Sequence, residues 1–266
     1  MKKLVIALVC LLVLLAAGTI WHAYRPSPPP PVTEHLPVPS PEPKIRYPVA
    51  EPPGGVETAN SGIDMEQSLP ELNQSDGRMR EILAGLIPGV RLEEFFSLEH
   101  FIQRFVLMVD SLPRRELPAD RLPTRRVPGK FLVTGGEGNL SIDPSNYRRY
   151  LPFIRLAEAL DRKQVVAVYV HFYPLLQEAY VNLGYPHGYF NDRLIEVIDH
   201  LLTAPVVSEP IGLVQPKALY QFADPDLEDL SAGRKILVRT GPANAARIQE
   251  ILRQFRQELI EISHRK

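Results

Sequence analysis

The spacing of apolar and polar positions divides the chain into dissimilar stretches. Leu4 to Ile20 carries no charge, and apolar and aromatic positions continue through Trp21 and Tyr24 to Arg25. From Pro26 to Asp76 large apolar residues are sparse. Beyond Asp76 they return at helical spacing. Met79, Ile82, Leu83, Leu86 and Ile87 predict a helix over 78–87, stopped by Pro88-Gly89. Ser97 is placed to cap a second helix with Glu99 in its first turn, Phe101, Phe105, Met108 and Leu112 on one face and Pro113 at its end. Asp143-Pro144 starts another, continued by Tyr147, Tyr150, Leu151, Ile154, Ala157 and Leu160. Asp161 and Gln164 have capping-box spacing for the next, which carries Val165, Val168, Phe172, Leu176, Ala179 and Leu183 to Gly184. Pro174 lies inside it and is expected to kink it. Leu194 to Leu202 forms a further helix before Pro205. Asp224-Pro225 and Gly241-Pro242 are cap-then-proline starts, and the last helix is expected from about Pro242 to near Ser263, with Ile248, Ile251, Leu252, Phe255 and Leu259 inward.

Two short runs, 131–133 and 140–142, flank a glycine-rich stretch at 134–139 and read as a β-hairpin. A phosphate-binding reading needs that loop to lead into a helix N-terminus, with a Lys-Ser/Thr pair or a longer glycine spacing, and neither pattern is present. Short strands are also expected at Ile211–Val214 and Leu219–Phe222. The predicted fold class is therefore mainly α: a single helical domain over residues 77–266 with a small β-hairpin, preceded by a transmembrane helix within 1–25 and a disordered proline-rich tether over 26–76.

The 21 residues from Leu4 to Tyr24 meet the length of about 20 needed to span a bilayer. Trp21 and Tyr24 sit where interfacial aromatics belong, and Lys2 and Lys3 favour a cytoplasmic N-terminus. The expectation is a single-pass anchor in the inner membrane through residues 4–24, with the domain in the periplasm. The competing reading is a cleaved signal peptide, with Leu4–Leu15 as its apolar region and Ala16-Ala17-Gly18 as its cleavage site. Apolar and aromatic positions continue past Gly18, which favours the anchor. Both readings export the domain.

Composition sharpens the second stretch. Of 27 prolines, 12 lie between Pro26 and Pro53. Such a segment cannot enter helix or sheet interiors. Extended as polyproline II, it gives a reach on the order of 90 Å; a ligand for a proline-recognising domain is the alternative. Net charge is −1, so the chain is not a polycation and no nucleic-acid partner is expected. The sole cysteine, Cys10, falls in the apolar run, which leaves the domain without a disulfide, zinc-thiolate site or cysteine nucleophile.

From about Phe131 onward, four groups of segments carry a family resemblance. The first is Ile142-Asp143-Pro144-Ser145-Asn146-Tyr147 with Arg149-Tyr150, and the second is Leu175 to Tyr180 with Leu183-Gly184-Tyr185-Pro186. The third runs from Asp192-Arg193-Leu194-Ile195 to Asp199-His200-Leu201-Leu202, and the fourth is Val214 to Pro225. Leu230 to Lys235 and Gly241 to Ala246 extend the match. These strings resemble a bacterial family known only as a domain of unknown function, number three-thousand-and-fourteen. The resemblance implies an anchor–tether–domain layout, no known activity and no catalytic residues to carry over.

Candidate chemistry is sparse. His171, Glu178, Asp192 and His200 could be assembled into a metal set, but no pair has the spacing of a zinc helix, and His171 beside Phe172 and Tyr173 reads as a packed ring. Asp199 and His200 are helix neighbours that point about 100° apart, which argues against an acid–base pair. No nucleophile-elbow or Ser-x-x-Lys motif is present, and Ser145, Ser208 and Ser231 stand at element ends, where capping is the ordinary role. No catalytic residue, metal or cofactor is therefore expected. Two loops rich in aromatics, proline and glycine remain, and Tyr185, His187, Tyr189, Lys217 and Tyr220 are the candidate binding residues. A basic strap, Arg114-Arg115, Arg121, Arg125-Arg126 and Lys130, is interrupted by prolines and reads as a solvated loop, with a contact for anionic lipid or envelope polymer as the alternative. The expected function is a membrane-tethered, non-enzymatic interaction module for an envelope protein or polymer. An exported enzyme acting on an envelope polymer is the alternative.

Overall fold

The computed structural model describes residues 44–49, 68–136 and 138–264. The expected anchor, 4–24, lies outside the described residues, and no helix among those described is long and apolar enough to cross a membrane. The rest is mainly helical with a small antiparallel sheet.

Helix α1 (Asp76–Leu86) buries Met79, Ile82, Leu83 and Leu86, the face its spacing predicts. A single turn, α2 (Leu92–Phe95), leads to α3 (Phe101–Ser111). Ser97 does not cap α3. His100, in the left-handed region at φ 51, precedes the helix, and the Asp76 carboxylate accepts the N–H groups of His100 and Phe101 at 2.7 and 3.1 Å. The cap thus comes from α1, and local spacing could not show it. A 3₁₀ stretch, Pro144–Tyr150, with Asp143 accepting the Ser145 N–H, leads into α4 (Leu151–Glu158). Helix α5 (Arg162–Asn182) starts on the Asp161 cap and runs unbroken through Pro174. Pro174 is on the exposed side, where water can satisfy the carbonyl that loses its donor. The chain continues through α6 (Phe190–Leu202), α7 (Pro225–Glu228), α8 (Ala232–Arg239) and α9 (Pro242–His264).

The core forms around α5, which is buried on most of its circumference: Val166, Tyr169, Tyr173, Leu175 and Tyr180 are covered as well as the predicted stripe. Leu183, expected inward, is more than a third exposed because the helix ends there. Helix α3 packs on α5 and α6, and α9 packs on α4, α5, α6 and α8. Phe96, Phe101, Phe172, Phe190 and Phe255 are fully buried. Each such side chain contributes about 1.5–3 kcal/mol of transfer free energy.

The hairpin is half of a larger sheet. Strands β1 (Val133–Thr134), β2 (Leu140–Ile142), β3 (Gly212–Val214) and β4 (Gln221–Phe222) pair antiparallel in chain order, with Leu140 opposite Leu213 and Leu213 opposite Phe222. Ile142, Ile211, Leu213, Phe222 and Val238 form a second, smaller apolar cluster under it. The turn needs glycine at 135, where φ is +97 and a Cβ would meet the Asn139 carbonyl oxygen at 2.0 Å. Asn146, fully buried, joins hairpin to helix by hydrogen bonds to both backbone groups of Leu132.

The basic strap keeps Arg114, Arg115, Arg121, Arg125, Arg126 and Lys130 exposed, as expected, while its backbone is fastened: Leu122 and Val127 are buried, Arg125 N–H donates to the Phe95 carbonyl, and the Arg149 guanidinium donates to the carbonyls of Val127, Pro128 and Gly129. The structureless span 26–76 is too long. Leu72 is in the core and Asp76 caps α3, because an apolar side chain and a carboxylate there find partners distant in sequence. Residues 44–49 also lie against the domain.

Candidate functional site

Residues 44–49 are held at the N-terminal end of α6. The segment bends at Arg46 and Tyr47, and the N–H groups of both converge on the Asp192 carboxylate at 2.9 and 2.8 Å. Successive N–H groups of a bend form a small concavity that favours an anion. Here the anion is a side chain in the first turn of α6, where the helix dipole also favours negative charge. The Tyr47 carbonyl accepts from Asn191 Nδ2 at 2.9 Å, and the Val49 N–H donates to the Tyr189 hydroxyl at 2.7 Å. Pro48 has no N–H to satisfy. Tyr47 and Val49 are half-buried against the main core, and Lys44, Ile45, Arg46 and Pro48 are exposed.

The groups that hold the segment are themselves fixed by α5. Asn191 is fully buried, and its Oδ1 accepts from the Tyr169 hydroxyl at 2.9 Å, which turns Nδ2 toward Tyr47. Burial, then the neighbouring Tyr189 and Asp192, push the Tyr169 hydroxyl well above its usual value. Tyr173 is raised likewise, first by burial. Both therefore remain proton donors. Tyr189 lies against Tyr173 with ring centroids 5.5 Å apart. Gln177 accepts the Phe190 N–H at 2.8 Å and donates to the Gly188 carbonyl at 2.7 Å, which pins the loop before α6.

The other end of that loop is tied to a buried acid. Asp110, only 1% exposed, faces Arg193 at 3.0 Å, pairs with Arg114 and accepts the Tyr185 hydroxyl at 3.2 Å. Tyr185 stacks on Tyr180 at 4.7 Å. Burial pushes the Tyr180 hydroxyl up to about 12. An open groove of about 650 Å³ between α6 and α9 is lined by residues including Asp199, Arg253, Arg256 and Ile260. Arg256 is raised first by its hydrogen bond to Asp199, and Tyr47 is close enough to add to that shift.

The five predicted binding residues are thus placed differently. Tyr189 touches the docked segment, Tyr185 anchors the loop to Asp110, and His187 is exposed between them. Tyr220 belongs to the sheet cluster, where it packs on Phe131 at 6.0 Å, and Lys217 is exposed on that loop. Spacing missed Asn191, and it offered Asp192 only as a metal ligand. Both of Asp192's oxygens accept backbone N–H groups. Among the described residues no group of three or more His, Cys, Asp or Glu is placed to hold a metal ion. His200 Nε2 lies 2.8 Å from Ser231 Oγ, but that oxygen also accepts the Arg234 N–H as the α8 cap, and Ser231 is buried.

A helical domain with a small antiparallel sheet, carrying a seat for a peptide segment, is the class of protein this geometry defines. The family described as "Protein of unknown function (DUF3014)" matches residues 101–256, from the first residue of α3 into α9, and the chain belongs to it. No curated protein and no solved structure matches the chain.

Proposed function

We propose that the protein is a non-enzymatic interaction module of the cell envelope, tethered to the inner membrane through residues 4–24, with its N-terminus cytoplasmic and its domain periplasmic. The observation that carries the reading is the seat at the start of α6: Tyr189, Asn191 and Asp192 contact the backbone of residues 46–49 rather than any reactive group. Side chains on a loop and helix start, held by a packed scaffold, are the ordinary construction of a binding surface. The apolar run at 4–24 and the proline-rich stretch behind it support the tethered placement. The deciding experiment is recovery of the full chain from crosslinked membranes. Stable protein partners support the module. Their absence, together with turnover of an envelope polymer that depends on the chain, favours an exported enzyme instead.

A further inference from the structure

The seat reads backbone groups in a fixed order: two consecutive N–H groups at Asp192, the second residue's carbonyl at Asn191, and the N–H two residues further on at Tyr189. The intervening position needs no N–H, and proline occupies it. The first position carries Arg46, whose guanidinium lies 3.8 Å from Asp192. The second and fourth positions turn Tyr47 and Val49 onto the core. We propose that this seat binds peptides of the pattern basic–aromatic–proline–aliphatic, and that Arg46-Tyr47-Pro48-Val49 is its resident competitor. The inference rests on the interaction-module reading and supplies the ligand class.

Two features separate a displaceable occupant from a fixed strap. The seat is preorganised without the segment, since Tyr169 orients Asn191, Tyr173 supports Tyr189 and Gln177 holds the loop. The segment, by contrast, is lightly held, with four of its six residues exposed. Its advantage is that it is covalently linked. Residues 50–67, 18 positions, join it to the domain, and a tether of that order gives an effective concentration around the millimolar range. A free peptide must overcome that advantage, and a chain whose own segment is weakened must bind it more tightly.

The test uses the full chain in detergent and a fluorescent synthetic peptide of residues 42–51, read by anisotropy. Tyr47→Ser with Val49→Ser weakens the resident segment without touching the seat. This variant is expected to bind the peptide at least about tenfold more tightly than wild type. Asp192→Ala added to it is expected to abolish the gain, as is changing the aromatic and aliphatic positions of the peptide to serine. Equal binding by wild type and the double-serine variant overturns the proposal, and so does a gain that survives Asp192→Ala. Should the double-serine variant fail to fold, hydrogen exchange in wild type decides: adding peptide must accelerate exchange at the Tyr47 and Val49 amides, and unchanged exchange overturns the proposal. Recovery of membrane partners without peptide binding sinks the ligand class alone; absence of partners together with chain-dependent turnover of an envelope polymer sinks the module.

Discussion

Asp192 and Tyr47 stand 145 positions apart, and a carboxylate oxygen of the first accepts the backbone N–H of the second at 2.8 Å. This bond joins the proline-rich stretch to the helical domain. Hydrogen bonds to a charged group are worth about 1.5–3 kcal/mol each. Asp192→Ala removes two from a partly exposed site, so the segment should open at least about tenfold more often. Trypsin cleavage after Lys44 and Arg46 should accelerate accordingly, because cleavage follows the open population when closing is fast. An unchanged cleavage rate, with the rest of the domain equally resistant, would show that other contacts hold the segment.

The loop that carries Tyr189 depends on Asp110. The Asp110 carboxylate is 1% exposed, and its partner Arg193 has a side chain 22% exposed. Removing one member of a buried pair strands the other, at a cost on the order of 3–5 kcal/mol. Arg193 keeps Glu196 at 3.4 Å, so Asp110→Ala should fall toward the lower end of that range in urea denaturation. Tyr185→Phe, which removes only the hydroxyl, should cost about 0.5–1.5 kcal/mol. Equal losses for the two variants would mean that the charge pair contributes nothing beyond the tyrosine bond.

Gly188 is fixed by contact. A Cβ there would lie 2.7 Å from Tyr180 Cε1 and 2.9 Å from Tyr185 Cβ. Gly188→Ala must therefore separate the Tyr180–Tyr185 stack or shift the loop, and overpacking of this kind costs about 1–3 kcal/mol. The near-ultraviolet circular dichroism of the tyrosines should change with it. A variant with wild-type stability and spectrum would show that the loop can move freely.

Much of the helical frame was legible in the sequence because it rests on local rules. Asp143, Asp161 and Asp224 cap their helices as their spacing predicts, and the inward face of α9 is the predicted one. What escaped rests on pairing across the chain. Asp76 replaces Ser97 as the cap of α3, and β3, expected as a short strand, pairs with the hairpin and joins it to β4 in one sheet, a pairing that local spacing could not show. The seat escaped for the same reason. Tyr47 and Val49 are isolated apolar residues among prolines, and Asn191 and Asp192 at a helix start read equally well as surface polar residues. Tyr189 could be singled out because an aromatic on a loop stands outside helical spacing. Tyr220 could be singled out on the same grounds, and the second apolar cluster claims it.

Two histidines give the stability a direction with pH. Burial lowers His200 below its ordinary value, with Arg234 and Arg193 adding to the shift and Glu196 opposing it. Burial and then Arg78 lower His171. A depressed folded value means that the unfolded chain binds more protons as the pH falls below about 6.5. These groups therefore favour the folded state fully above that pH, and the contribution is lost as the pH drops toward the folded values. The melting temperature should fall between pH 7.5 and 5.5, and His200→Gln with His171→Gln should flatten that dependence. A slope unchanged by the double substitution would assign it to other groups.

Tyr189 and Tyr220 should respond oppositely to substitution. The Tyr189 ring packs on Tyr173, and its hydroxyl accepts the Val49 N–H. Tyr189→Phe keeps the ring and deletes the acceptor, so the domain should melt within about 1 kcal/mol of wild type while exchange at the Val49 amide accelerates. Tyr220 has no part in the seat; its ring packs on Phe131 above the sheet cluster. Tyr220→Ala should leave Val49 exchange unchanged and lower stability by about 1–3 kcal/mol, less than the loss for a fully buried ring because Tyr220 is only half-covered. Lys217→Ala and His187→Ala, both at exposed positions, should change stability by less than about 0.5 kcal/mol. If Tyr220→Ala released the segment, or Tyr189→Phe left the Val49 amide as protected as before, the seat would have to be redrawn to include the sheet loop.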